Sequence, residues 1–162
     1  MLPMIYPDGT IKLEMPDVSI TPRTTRDIFL SSHLFAISKP LNQNVPWSRY
    51  SFRPVTADGE HFAGDICFCE GVLYSLILCS IRPEFGSSWN DYSVDKERAK
   101  HCFHKELLKR ILGRPPDEHI TRVADERDAD AGYTLPWGEV WASTDMKSAV
   151  CDIFIKYADV AD

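Results

Sequence analysis

Between Ser48 and Ile81 the chain runs through three apolar-rich segments separated by two glycine turns, a pattern that commits it to an antiparallel sheet. Tyr50, Phe52 and Pro54 alternate with Arg49, Arg53 and Val55, and Asp58-Gly59 is a two-residue hairpin signal. In the second segment Phe62, Ile66 and Phe68 share one face, with Asp65, Cys67 and Cys69 on the other. Glu70-Gly71 turns the chain again. The third segment is apolar on both faces, with Val72, Tyr74, Leu76 and Leu78 on one and Leu73, Ile77, Cys79 and Ile81 on the other. Such a strand is expected in the middle of a sheet, covered on both sides. The three segments predict a meander.

The clearest helix follows. Ser93 is a predicted N-cap, and Asp95 and Glu97 put negative charge at the favourable end of the dipole. Ala99, Phe103, Leu107 and Ile111 recur every fourth residue and predict one buried stripe, with Lys105, Lys109 and Arg110 facing elsewhere or toward the C-terminus. Gly113, then Pro115-Pro116, ends the helix. Before the meander, Pro3, Pro7, Pro16 and Pro22 punctuate residues 1–23, which read as an extended N-terminal arm with a short strand over Ile11 to Glu14. Thr24-Thr-Arg-Asp27 has capping-box spacing and predicts a short helix over Ile28, Phe29 and Leu30, followed by a polar, proline-bounded loop from Lys39 to Pro46. After the long helix, Gly113 to Pro136 reads as irregular apart from a short strand around Ile120 to Val123. Trp137 to Ala142 and Ala149 to Tyr157 predict two last strands joined around Asp145-Met-Lys-Ser148. The expected fold is a single α+β domain over residues 1–162: an antiparallel sheet of about five strands, one long helix packed on a face, and a short N-terminal helix.

A chain of 162 residues fits one domain and hides roughly 70% of its unfolded surface, enough to fold without disulfides or metal. Its formal charge of −6 argues against non-specific binding of nucleic acid or a membrane surface and is compatible with a basic partner. The N-terminus has neither the basic region nor the apolar run of a signal peptide. Five cysteines, Cys67, Cys69, Cys79, Cys102 and Cys151, sit in apolar segments without CxxC spacing. They read as reduced thiols of a cytoplasmic protein.

Catalytic patterns are sparse. His101-Cys102-Phe-His104 with Cys67 and Cys69 has the residue types of a zinc site, but Cys102 points about 100° away from His101 on the helix, so no metal and no other cofactor is expected. No glycine-flanked nucleophile turn surrounds any cysteine, and the nucleotide, zincin and serine-hydrolase signatures are absent. Two carboxylate sets, Asp125-Glu126 with Asp128 and Asp130, and Glu139 with Asp145, could serve acid–base chemistry only if held close together in a cleft. An acidic mobile loop instead suits electrostatic steering of a partner. Trp47, Trp89, Trp137 and Trp141 fall in or beside loops and strand ends, where tryptophans either anchor interfaces or cap a core.

From about Ser48 to Tyr157 the chain resembles the immunity proteins of bacterial polymorphic-toxin and contact-dependent growth inhibition systems. The resemblance is carried by the meander with its Asp58-Gly59 turn and Val72-Leu-Tyr-Ser-Leu-Ile-Leu78, by the Ser87-Ser-Trp-Asn-Asp91 entry to the helix, and by Leu108 to Pro116. Pro136-Trp-Gly-Glu-Val140 before Asp145-Met-Lys-Ser148 adds to it, as does the Thr24 to Leu30 helix. The family shares no universal site residue. What the resemblance implies is a small acidic protein, not an enzyme, that binds the C-terminal domain of one toxin, a basic nuclease-like domain included, and blocks it. The expected contacts are Asp117, Glu118, Asp125, Glu126, Asp128 and Asp130, with Trp89 or Trp137, and the expected state is a monomer or homodimer. The alternative is a small hydrolase or transferase that uses His101 or His104 with a cysteine or carboxylate.

Overall fold

The computed structural model describes residues 3–86, 89–119, 125–145 and 150–158. Residues 3–23 do not form an extended arm. Strands β1 (Ile11–Leu13) and β2 (Val18–Ile20) form a hairpin, and Met4, Ile5, Ile11, Leu13 and Ile20 are all buried in the main core. The hairpin is sewn to the sheet by Glu14 N–H donating to the Thr56 carbonyl and Thr56 N–H to that of Met15. Pro7, Pro16 and Pro22 sit at turns between short paired segments, where a missing N–H costs nothing. Helix α1 (Arg26–Leu30) is capped by Thr25, whose hydroxyl accepts from Ile28 N–H; the hydroxyl of Thr24, the expected cap, accepts instead from Thr21 N–H. Helix α2 (His33–Ala36) follows directly, capped by Ser32. Phe29 carries this corner into the core against the rings of Phe35, Tyr50 and Phe68.

Among the described residues the main sheet has eight strands rather than five: β3 (Ser38–Asn42), β4 (Trp47–Ala57), β5 (Glu60–Cys69) and β6 (Val72–Ser80), then, after helix α3 (Val94–Leu112), β7 (Glu118–His119), β8 (Ala131–Leu135), β9 (Gly138–Asp145) and β10 (Val150–Tyr157). All neighbours are antiparallel in the order β3-β4-β5-β6-β10-β9-β8-β7. The predicted meander is β4-β5-β6. Its turns carry Asp58 and Gly59 at φ 51° and 72°, and Glu70 and Gly71 at φ 52° and 79°, the left-handed pairs that match hairpin twist. The extra strands come from segments with weak local signals. β3 lies within what reads as a proline-bounded loop, and Pro40 is tolerated because β3 is an edge. β8 lies within what reads as an irregular acidic stretch. The expected strand at Ile120 to Val123 and the turn at 146–148 lie outside the described residues.

Two bulges correct the predicted faces. One in β4 between Phe52 and Val55 buries Tyr50, Phe52, Val55 and Ala57 together and turns Pro54 outward. Another, at Tyr74, aligns Leu73 with Leu76 and Leu78 on the inner face. β6 is central, but among the described residues helices and the N-terminal hairpin pack only on that face. Along β4, β5, β9 and β10 buried residues alternate with half-exposed or exposed ones, the signature of a sheet with one face packed and one open. The N-terminal hairpin, α1 and α3 all pack on the same inner face.

Helix α3 begins and ends as predicted: the Ser93 hydroxyl accepts from Lys96 N–H at 3.1 Å, and Gly113 adopts φ 69° at the C-cap. Its buried side differs from the predicted stripe. Ala99 is exposed and Phe103 and Ile111 half-buried, whereas Glu97, Lys100, His101, His104, Leu107 and Leu108 are buried.

Candidate functional site

The polar stripe of α3 is buried because the sheet beneath it offers polar groups. Pairing between β6 and β10 runs only as far as Leu78 opposite Ile153. Ser80 N–H, which would continue that ladder, donates instead to His104 Nε2 at 3.3 Å, and the Ser80 hydroxyl lies 2.9 Å from the same nitrogen. A nitrogen that accepts from a backbone N–H carries no proton, so the proton of neutral His104 sits on Nδ1, 3.7 Å from Cys151 Sγ. Lys100 Nζ lies 3.3 Å from Glu97 Oε1 and donates to Cys79 Sγ at 3.8 Å. His101 Nε2 donates to the Ala129 carbonyl at 2.8 Å, with Asp130 Oδ1 at 3.7 Å. Glu97 Oε2 and His101 Nδ1 are buried without a partner.

This arrangement brings a histidine and a cysteine together, as the enzyme alternative requires, but in an unreactive form. Burial, with the Lys100 ammonium adding to it, pushes His104 down to about 3. Burial pushes the Cys151 thiol far upward. A Cys–His nucleophile needs the reverse, a stabilised thiolate beside an imidazolium. His104 and His101 are 0% and 1% exposed, so no substrate reaches either. Cys67 and Cys69 lie on β5, on the open face, away from α3. Among the described residues no group of three His, Cys, Asp or Glu side chains is arranged to hold a metal ion.

The depressed His104 pKa makes a prediction about stability. Its folded value lies below the ordinary 6.5, so the neutral form is favoured in the fold. The stability it contributes is complete above pH 6.5 and is lost as pH falls from there toward 3. Asp152 acts oppositely: lifted to about 6 by burial and by the Asp130 and Asp65 carboxylates, it favours the fold more at low pH and less as pH rises through 6. The His104 effect is therefore read as a difference. Between pH 6.5 and 4.5, urea unfolding of the wild type is expected to lose stability faster than His104→Gln, by up to about 1.4 kcal/mol per pH unit. Parallel pH profiles for the two proteins would mean that the His104 imidazole binds its proton equally well in the folded and unfolded states.

The acidic segment is engaged internally. The Arg98 guanidinium holds both oxygens of Asp128, at 2.8 and 2.9 Å, and lies 3.5 Å from Asp125. Arg127 makes a fork with Asp125, which holds that carboxyl well below its usual range. Lys105 Nζ donates to the carbonyls of Arg127 and Ala129. Arg98, His101 and Lys105, on successive turns of α3, thus pin residues 125–130 along the helix. Asp117 pairs with Arg114 at 2.5 Å and accepts from Thr134 N–H, and Asp130 accepts from Thr144 N–H at 3.0 Å. Glu126 is exposed. Glu139 and Asp145, at opposite ends of β9, are about 20 Å apart by strand rise and form no carboxylate pair.

Of the predicted aromatic contacts, Trp137 packs on Tyr157 with ring centroids 5.4 Å apart and closes the end of the core over Gly9. The side chains of Trp89 and Glu118 lie outside the described residues. Trp47 stands edge-on to Tyr74 at 4.9 Å on the open face, and Trp141 lies over Gly132 on the same face. Sequence reasoning overlooked the burial of Glu97 and Lys100. Glu97, Lys100, His101 and His104 do fall at helical spacing, but only polar partners on distant strands make that face the inner one. No helix among the described residues is long and apolar enough to cross a membrane. No protein-family model, curated protein or solved structure matches the chain.

Proposed function

We propose that the protein is an immunity-type inhibitor: it binds the C-terminal domain of a cognate bacterial toxin in the cytosol and neutralises it by occlusion, without a reaction of its own. The observation that carries this reading is the uncovered face of the eight-stranded sheet, which displays half-exposed or exposed aromatics, Trp47, Tyr74, Trp141 and Phe154, on a chain of net charge −6. Aromatic side chains on a rigid sheet are interface anchors of low entropic cost. The acidic contacts expected at Asp117, Asp125 and Asp128 have less free charge to offer, because each is paired with an arginine of its own chain. The hydrolase alternative loses support because the His104–Cys151 pair is neutral and sealed from solvent.

The test is growth rescue together with complex formation. Cells expressing the toxin domain encoded beside this gene are expected to grow only when the protein is co-expressed, and the two purified chains are expected to co-elute at 1:1. An undiminished toxin activity with no co-elution would overturn the reading.

A further inference from the structure

The open face carries charges of both signs, and register sorts them into two groups. Lys39 on β3 and Arg49 on β4 outnumber Asp65 on β5 to one side of β6. To the other side, Asp152 on β10 with Glu139 and Asp145 on β9 outnumber Lys156. Arg49 is paired with Asp65 at 2.5 Å. Lys156 leans over the Tyr74 ring, 5.6 Å from its centroid, although Glu139 is its cross-strand neighbour. Between the groups the face is apolar: Tyr74, Ile77 and Phe154 are half-buried, and Trp141 lies over Gly132. A partner of uniform charge would meet its own sign on one half of this surface. A second copy of the same face, turned through a half-turn, sets each half against its opposite.

β6 supplies the axis of that half-turn. It is the middle strand of the run β3-β4-β5-β6-β10-β9-β8, so rotation about a line along β6 lays β4 over the partner's β9 and β5 over its β10. Cross-strand pairing sets Arg49, Cys67, Ser75, Lys156 and Glu139 in one row across the sheet. The rotation reverses this row onto itself. Arg49 then faces the partner's Glu139, twice per pair, and Lys156 falls over the partner's Cys67, two residues along the strand from the partner's Asp65. The next row runs Ser51, Asp65, Ile77, Phe154, Trp141, and places Ile77 against its own copy at the centre with Phe154 beside it. Asp65, beneath the partner's Phe154, keeps Arg49 and gains the partner's Lys156. Size fits as well. Seven strands span about 29 Å and the length of β9 or β10 about 26 Å, on the order of 750 Å² and close to the roughly 800 Å² per partner of a standard interface. Two sheets packed this way form an aligned sandwich about 10 Å thick.

We propose that the protein alone is a two-fold dimer closed through its open sheet faces, with Arg49 of each copy set against Glu139 of the partner subunit. One consequence rests on the inhibitor reading: the second copy and the toxin domain use the same face, so toxin binding splits the dimer into 1:1 complexes.

Sedimentation equilibrium of the full chain at tens of micromolar is expected to give twice the chain mass. Charge reversal tests the axis. R49E and E139R each set like charges against one another twice per dimer, and each is expected to weaken pairing about a hundredfold. An equimolar mixture of the two variants is expected to recover it, because every such contact again joins opposite signs. The double variant R49E/E139R is expected to pair for the same reason. Mixing does not rescue a chain that has failed to fold, so recovery reports the contact itself. A monomeric wild type overturns the inference. So does a dimer whose dissociation constant neither reversal changes, since it pairs through another surface, and so does loss in both variants without recovery in the mixture. The growth-rescue experiment reads separately. Rescue by a protein that stays monomeric removes the dimer and leaves the inhibitor reading, whereas a dimer that passes the mixing test but gives no rescue keeps the paired face and removes the toxin.

Discussion

A chain that starts at Arg23 is expected not to fold. Met4, Ile5, Ile11, Leu13 and Ile20 are each at most 3% exposed, and burying side chains of this size contributes about 1.5–3 kcal/mol each. Their sum, roughly 7–15 kcal/mol, equals the whole stability of a typical domain. It is an upper value, because an unfolded chain already hides part of this surface. The truncation also strips polar partners from groups that stay behind. The Tyr157 hydroxyl donates to the Gly9 carbonyl at 3.1 Å in a buried position, and the Thr56 carbonyl loses Glu14 N–H. Far-UV circular dichroism and urea titration of the truncated protein are expected to show no cooperative transition. A transition within a few degrees or a few tenths molar of the full chain's would mean the hairpin is an accessory. In the full chain, Leu13→Asp is expected to approach the same result, since it places a carboxylate in a fully buried apolar site.

The second large effect concerns the ion pair under α3. Lys100 and Glu97 expose only 6% and 4% of their side chains. Lys100→Ala is expected to cost about 3–5 kcal/mol, because Glu97 is left as a buried charge with no counter-ion. Glu97→Leu alone is expected to cost a similar amount by stranding the ammonium against Cys79 and Cys151. Replacing both, Glu97→Leu with Lys100→Met, is expected to bring stability back to within about 1 kcal/mol of the wild type or above it, since the desolvation of two charges disappears together. Urea unfolding of the four proteins measures the coupling. Additive single-variant costs would mean that the two charges are solvated and independent.

The elements that were legible in the sequence are those whose cause is local. Asp58-Gly59 and Glu70-Gly71 require left-handed backbone wherever they occur, so the hairpins and the β4-β5-β6 meander could be read directly. The Ser93 cap and Gly113 stop of α3 depend on hydrogen bonds within a few residues. The α+β class and a single long helix on one sheet face followed from these. The strand count did not, because β3 and β8 each have five residues or fewer of regular pattern and exist only through pairing with a longer neighbour. The prolines of the N-terminal hairpin region, exposed or half-buried, carry the same composition as a solvated arm.

The site shows the division most sharply. The sequence by itself determined which residues could carry chemistry: the histidines of α3, the five thiols and the carboxylates of residues 117–130. Only the tertiary structure decided what each became. His104 and Cys151 are 47 residues apart in the chain, and the strand ends that bracket them shield both from water, so the pair is neutral and inert. Arg98 reaches 30 residues along the chain to hold Asp128, so a run of acids that reads as a free charged loop is neutralised along a helix. Trp141, which reads as a residue beside a loop or strand end, lies within β9 on the open face with Phe154 opposite it, because strand pairing places both there. Burial and pairing set the charge of a titratable group, and both are made by residues far away in sequence.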